Sequence, residues 1–209
     1  MQATIAPPEQ RVLMHNISWE TYERLLAESV ENPGMRFTYD SGELEIMVVS
    51  LGHEQPNRTL ALIVEIVSEE MGRNCRDTGM TTFKRDDLLK GFEPDSSFYF
   101  ANARLIRGLE EIDLHIHPPP ELVIEVDITR SSLKRFPIFA AVGVIEVWRY
   151  DGERVSFHAL DGSIYRPIET SRLVSPMTAK QATLFFQSSR SADSIDWKRS
   201  VREWVRKQV

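Results

Sequence analysis

A single cysteine, Cys75, occurs in the 209 residues. One thiol excludes an intramolecular disulfide and any thiolate-rich zinc site. No apolar run approaches the ~20 residues of a membrane span. No charged-then-apolar leader opens the chain, so a soluble, cytoplasmic protein with no membrane partner is the expectation. Positive charge is in deficit, with Lys+Arg 25 against Asp+Glu 31 and a net charge of -6. That argues against coating nucleic acid non-specifically, but leaves room for a local basic groove. A phosphate-binding glycine loop, a nucleophile elbow and a zincin motif are also missing, which weakens nucleotide-hydrolase and serine-hydrolase readings. There is no internal repeat or low-complexity tract. What is present is 42% hydrophobic residues and 9% aromatics, enough for a sizeable core. The length suits one α/β domain over 1–190, followed by a C-terminal helix over 191–209.

The stretch from Pro119 to Tyr150 organises the rest. Two prolines break what precedes it. Leu122, Val123, Ile124 and Val126 then form a short apolar run that suits a strand buried on both faces. Glu125 and Asp127 are set into that run, and residues two apart in a strand share a face. Unpaired carboxylates side by side in a core are costly. A divalent cation resolves the conflict, since hard metals take carboxylate oxygens. A solvated strand end resolves it too, as does an arginine partner for each acid.

Along the chain, residues 1–16 read as an irregular arm. Ser18 is the expected N-cap of a helix to about Ser29, with Trp19, Tyr22, Leu25 and Leu26 on one face. Asn32-Pro33-Gly34 ends it. Arg36 to Tyr39 and Glu43 to Ser50 form a hairpin about Asp40-Ser41-Gly42. Gly52 to Gly72 is a helix striped with Leu60, Ile63, Val64, Val67 and Met71. Gly79 to Arg85 is β-rich, Asp86 to Pro94 a loop, and Asp95 to Phe100 a strand. Residues 101–117 read as a short helix or a loop. Thr129 or Ser131 caps a short helix ending near Gly143, with Pro137 tolerable only in its first turn. Val144 to Tyr150 is the second buried strand, so 121–150 predicts a right-handed parallel crossover. Asp151-Gly152 and Asp161-Gly162 mark turns of an antiparallel extension. Ser188 to Asp193 reads as a linker, and 194–208 as a closing helix.

Asp95 opens its strand after Pro94 and is either a metal ligand beside Glu125 or a turn aspartate. Lys134 and Arg135 start the crossover helix, as groups that stabilise charge near a metal site or as solvated charges. His53, at the head of its helix, either reaches the site or caps. Glu65 either turns inward as an extra ligand or lies exposed. His115 and His117 read as loop residues. Lys198, Arg199, Arg202, Arg206 and Lys207 lie opposite Trp197 and Trp204, on a helix expected to be docked or dimer-forming.

Several of these features fall in one order. Pro94-Asp95 comes first, then ELVIEVD from Glu121 to Asp127, then a helix ending at Gly143-Val144, then EVWRY from Glu146 to Tyr150. In this the chain resembles the Uma-type restriction endonuclease family of the PD-(D/E)XK nuclease superfamily. The helix from Ser18, the Gly42-Glu43-Leu44 hairpin and the His53-led helix resemble the family's opening, and the likeness covers about residues 15–165.

The resemblance implies a restriction-endonuclease-like mixed central β-sheet flanked by helices, with an N-terminal helix-hairpin extension and the C-terminal helix. It implies an Mg²⁺ (or Mn²⁺) endonuclease that hydrolyses phosphodiester bonds in DNA as a homodimer or higher homo-oligomer. Asp95 and Glu125 match the family's two acids, with Asp127 a third ligand and Glu43 and His53 peripheral. The superfamily's lysine position is Asp127 here. In the family it moves to the next helix, and counting back from Gly143-Val144 reaches Arg135, with Lys134 one residue earlier. Those two side chains differ by ~100° about the helix axis, so they cannot point alike. With Arg135 in the slot, the alternative is a catalytically impaired nuclease fold serving as a binding module. A hydrolase of another phosphoester is the third reading.

Overall fold

The computed structural model describes residues 9–29, 34–128 and 133–208. Its first element corrects the expected irregular arm, because Glu9–Met14 is a strand, β1. Ser18 caps α1 (Trp19–Glu28) as its sequence position suggests, its Oγ accepting the Thr21 N–H at 3.2 Å. Tyr22 on α1 stacks on Tyr39 at 4.8 Å between ring centroids. The first hairpin forms as expected from β2 (Met35–Asp40) and β3 (Glu43–Val49). Ser41 and Gly42 both take positive φ at its turn, the conformation that a two-residue hairpin demands. β1 lies along the other edge of β3, with Leu13 opposite Glu45.

α2 (Leu51–Glu70) buries Leu60, Ile63, Val64 and Val67, the stripe its sequence shows. β4 is Arg76–Asp77. A second hairpin replaces the loop expected over Asp86 to Pro94. It consists of β5 (Phe83–Arg85) and β6 (Lys90–Phe92), turning at Leu89 with φ 49°. β7 (Ser96–Tyr99) follows, and 101–117 is a series of turns. Then come β8 (Leu122–Val126), α3 (Arg135–Val142) and β9 (Glu146–Tyr150). Pro137 sits in the first turn of α3, where its missing N–H costs nothing. Gly143 ends the helix at φ 94°, a conformation suited to glycine. β10 (Val155–Asp161) and β11 (Ile164–Ile168) complete the meander. α4 (Ala179–Ser189), capped by Thr178, enters the segment expected to be a linker, and α5 (Ser194–Arg206) closes the chain. The expected caps Thr129 and Ser131, and the expected break Asn32-Pro33, lie outside the described residues. The N-cap position of α3 is taken by Lys134.

Two sheets result. The smaller has the order β1-β3-β2-β6-β5 and the larger β11-β10-β9-β8-β7-β4. Neighbours are antiparallel except β8 and β9, which are parallel as the crossover requires. β8 is buried along its whole length, and its alternation sorts the interior into two cores. Leu122, Ile124 and Val126 pack with α2, α4 and α5. Val123 faces the other way, with Ile138 and Phe139 of α3 and with Phe83 and Phe92 of the smaller sheet. Glu125 and Asp127 share the parity of Val123. They therefore point toward the place where α3 and the smaller sheet meet the larger one.

α5 is docked. Trp197, Val201 and Val205 join the first core, and Arg202 and Arg206 form ion pairs with Glu69 and Glu70 of α2. Among the described residues no helix is long and apolar enough to cross a membrane.

Candidate active site

β7 and β8 pair antiparallel with Ser96 opposite Ile124, so continuing the register sets Asp95 opposite Glu125. Directly opposed residues share a face. Both side chains are buried, Asp95 at 3% exposure and Glu125 at 4%. Asp95 Oδ2 accepts the Val126 N–H at 2.7 Å, and Asn57 on α2 donates to the Asp95 carbonyl at 3.0 Å. His53, fully buried, donates from Nε2 to the Val126 carbonyl at 2.9 Å and stands 3.4 Å from Asp95 Oδ2. His53 therefore reaches the site, and the cap position of α2 belongs to Ser50.

Glu125 Oε2 accepts from Arg135 at 2.5 Å. Its Oε1 is buried without a hydrogen-bond partner among the described residues. Burial pushes the Glu125 carboxyl up to about 7, and nearby Asp95 adds to this against the pull of Arg135. For Arg135, burial works to lower the pKa. The carboxylates of Glu125, Asp95 and Glu45 outweigh it and hold the guanidinium above its ordinary value. Arg135 is thus a permanent cation among three buried acids.

Asp127 does not join the other two acids as expected. Arg149 grips its Oδ2 at 2.7 and 3.1 Å, and Arg11 lies 3.8 Å from Oδ1. Among the described residues Asp95, Glu125 and Asp127 do not bring ligand atoms within 4.8 Å of one another. The trio that does is Asp86, Asp87 and His115, exposed and held by a 2.6 Å contact between His115 and Asp86. Glu125 and Asp127 therefore each meet an arginine, one of the resolutions their sequence leaves open.

A cavity of about 360 Å³ opens onto Glu125 and Asp127. Arg11, Lys134, Arg135 and Arg149 supply cations to its wall, with Leu133, Phe136, Pro137 and His158 between them. Lys134 is exposed and makes no ion pair among the described residues, whereas Arg135 is turned inward. Lys134 is the extended N-cap of α3 and Arg135 its first helical residue, so the two side chains diverge into different environments without both lying on the helix.

Two peripheral residues are corrected. Glu43 is half-exposed and pairs with His15 at 2.6 Å. Glu65 lies exposed on α2, away from the cavity. The residue that reaches the site from the hairpin is Glu45, 1% exposed, with Arg11 at 2.7 Å and Arg135 at 3.6 Å. A carboxylate set among Leu44, Ile46 and Met47 was its signal in the sequence. Arg149 gave a similar signal, an ionised group inside an apolar strand.

A mixed sheet whose adjacent strands carry paired acids beside a cation-lined cavity defines a restriction-endonuclease-like α/β protein. The family model Uma2, described as "Putative restriction endonuclease", matches residues 19–187, and the chain belongs to that family. No curated protein matches it. Family membership supports a nuclease in general.

Proposed function

We propose that the protein is a metal-dependent endonuclease that hydrolyses phosphodiester bonds in DNA. One observation carries this reading. Glu125 presents a buried oxygen without a hydrogen-bond partner among the described residues, beside Asp95, at a cavity rimmed by cations. The residues fit a hard divalent ion, because Asp95 and Glu125 are opposed carboxylates on adjacent strands and Glu125 Oε1 is buried without a hydrogen-bond partner among the described residues. Asp95 and Glu125 would hold Mg²⁺ or Mn²⁺. When bound, such an ion polarises a phosphoryl group and acidifies water.

The chain's own groups do the rest. Lys134, at the cavity mouth, meets the charge that builds on the phosphate. Arg149 and Arg11 hold Asp127 in the wall. His53 and Asn57 fix the strand end that carries Asp95. Arg135 cannot serve as a base near neutral pH, and its charge steadies Glu125. Cutting both strands of a duplex calls for two sites, so a cytoplasmic homodimer with two-fold symmetry is part of the reading. A monomer by light scattering at high concentration counts against that part.

Plasmid cleavage with Mg²⁺ or Mn²⁺ tests the proposal, comparing wild type with Asp95→Ala and Glu125→Ala. Loss of cleavage in both variants supports it, and equal cleavage in all three overturns it. The contact of Arg135 with Glu125 favours a second reading, a catalytically impaired binding module. Calorimetry separates the two, because absence of Mn²⁺ binding at millimolar metal selects the second.

A further inference from the structure

We infer that Glu45 is a positioning residue, which offsets the charge of Arg135 so that Glu125 keeps its attraction for a divalent cation. This rests on the metal-nuclease reading above. Glu45 comes from β3, in the smaller sheet, yet its carboxylate is buried against the head of α3 in the larger assembly. Oε1 accepts from Arg11 at 2.7 Å and lies 3.6 Å from the Arg135 guanidinium. Oε2 faces the Leu133 N–H at 3.4 Å. β1 and β3 pair with Leu13 opposite Glu45, which puts Arg11 on the same face two residues along.

The charges around the cavity explain why this matters. Arg11, Arg135 and Arg149 face Glu45, Asp95, Glu125 and Asp127. Arg135 stands between two of these acids, Glu125 at 2.5 Å and Glu45 at 3.6 Å, so its charge is shared between them. Loss of Glu45 makes the surroundings of Arg135 and Glu125 more positive by one unit. Arg135, with Glu125 as its nearest carboxylate, would then form a closed pair with it. Buried charges are weakly screened, so the balance among these few groups decides whether a further cation is drawn in. Glu45 thus acts through Arg135 and needs no contact with the ion.

Calorimetric titration of Mn²⁺ into the full chain tests this, with no dependence on cleavage. Glu45→Gln keeps the shape and removes the charge, and should weaken Mn²⁺ binding about tenfold, whereas Arg135→Gln should tighten it by a similar factor. The double variant should return to within about threefold of wild type, a compensation that simple loss of packing does not give. Glu45→Asp should retain most of the affinity. Wild-type affinity in Glu45→Gln, or an unrescued double variant, overturns the role of Glu45 and leaves the nuclease reading standing. If Glu45→Gln does not fold, unchanged affinity in Arg135→Gln alone overturns the proposal. If wild type binds no Mn²⁺ at millimolar concentration, the metal reading fails and the inference fails with it.

Discussion

Asp95 Oδ2 accepts the backbone N–H of Val126 at 2.7 Å, so the acid that opens one strand is pinned to the end of the next. His53 completes this joint by donating to the Val126 carbonyl. His53→Ala should therefore cost about 2–4 kcal/mol, since it leaves a buried void and an orphaned carbonyl. Urea unfolding measures that cost. Mn²⁺-dependent plasmid nicking by the folded fraction should fall as well, because Asp95 loses its support. An unchanged denaturation midpoint would show that the imidazole is not structural.

Burial raises the Glu125 carboxyl to about 7 from an ordinary value of 4.5. Between these values the folded chain holds a proton that the unfolded chain has released. Stability should therefore decline as pH rises from about 5 to about 8, by at most a few kcal/mol. Glu125→Gln removes the titrating group, so its stability should depend less steeply on pH in metal-free buffer. Parallel pH–stability curves for the two proteins would contradict this assignment. The variant should also lose at least about 100-fold in cleavage, as expected on losing one strong electrostatic contact to the reacting centre.

Lys134 is exposed at the cavity mouth, so Lys134→Ala should leave stability within about 0.5 kcal/mol of wild type. Its effect should appear in DNA binding. Affinity should drop, and the slope of log affinity against log salt should become shallower by about one. Fluorescence anisotropy with a labelled duplex, at several salt concentrations and without divalent metal, gives both quantities. An identical salt slope would remove Lys134 from the phosphate contact.

Gly91, in β6, lies under the Tyr22 ring of α1. A Cβ added there would stand 2.8 Å from Tyr22 Cζ, and closer still to its hydroxyl. Gly91→Ala should destabilise the protein by about 1–3 kcal/mol through overpacking. Thermal unfolding checks this, and adding Tyr22→Ala, which opens the space, should make the glycine substitution nearly silent.

Much of the site's framework was legible in single residues. The parity of Glu125 and Asp127 along an apolar run put them on one face, and the position of Pro137 fixed where α3 could start. The stripe Trp197, Val201, Val205 marked the docked side of α5. What escaped depends on contacts between distant segments. Alternation assigns Glu43 and Glu45 to the same face of β3, and only the approach of α3 selects Glu45. β6 opens with Lys90 and Gly91, both poor strand formers beside the single strand-favouring Phe92, and it becomes a strand through pairing with β2 and β5. β1 likewise exists as a partner for β3. The fate of Asp127 was open because strand parity says nothing about which cation, Arg149 or a metal, stands opposite.

The centre takes Arg11 and Glu45 from one sheet, and Asp95 and Glu125 from the other, with Arg135 on the helix between β8 and β9. During synthesis Arg11 emerges early and Arg135 more than halfway through. A nascent chain halted before that helix exposes carboxylates with no guanidinium from α3 to receive them. Whatever chemistry the centre performs is therefore a property of the finished product alone, inherited by no fragment that contains a single sheet.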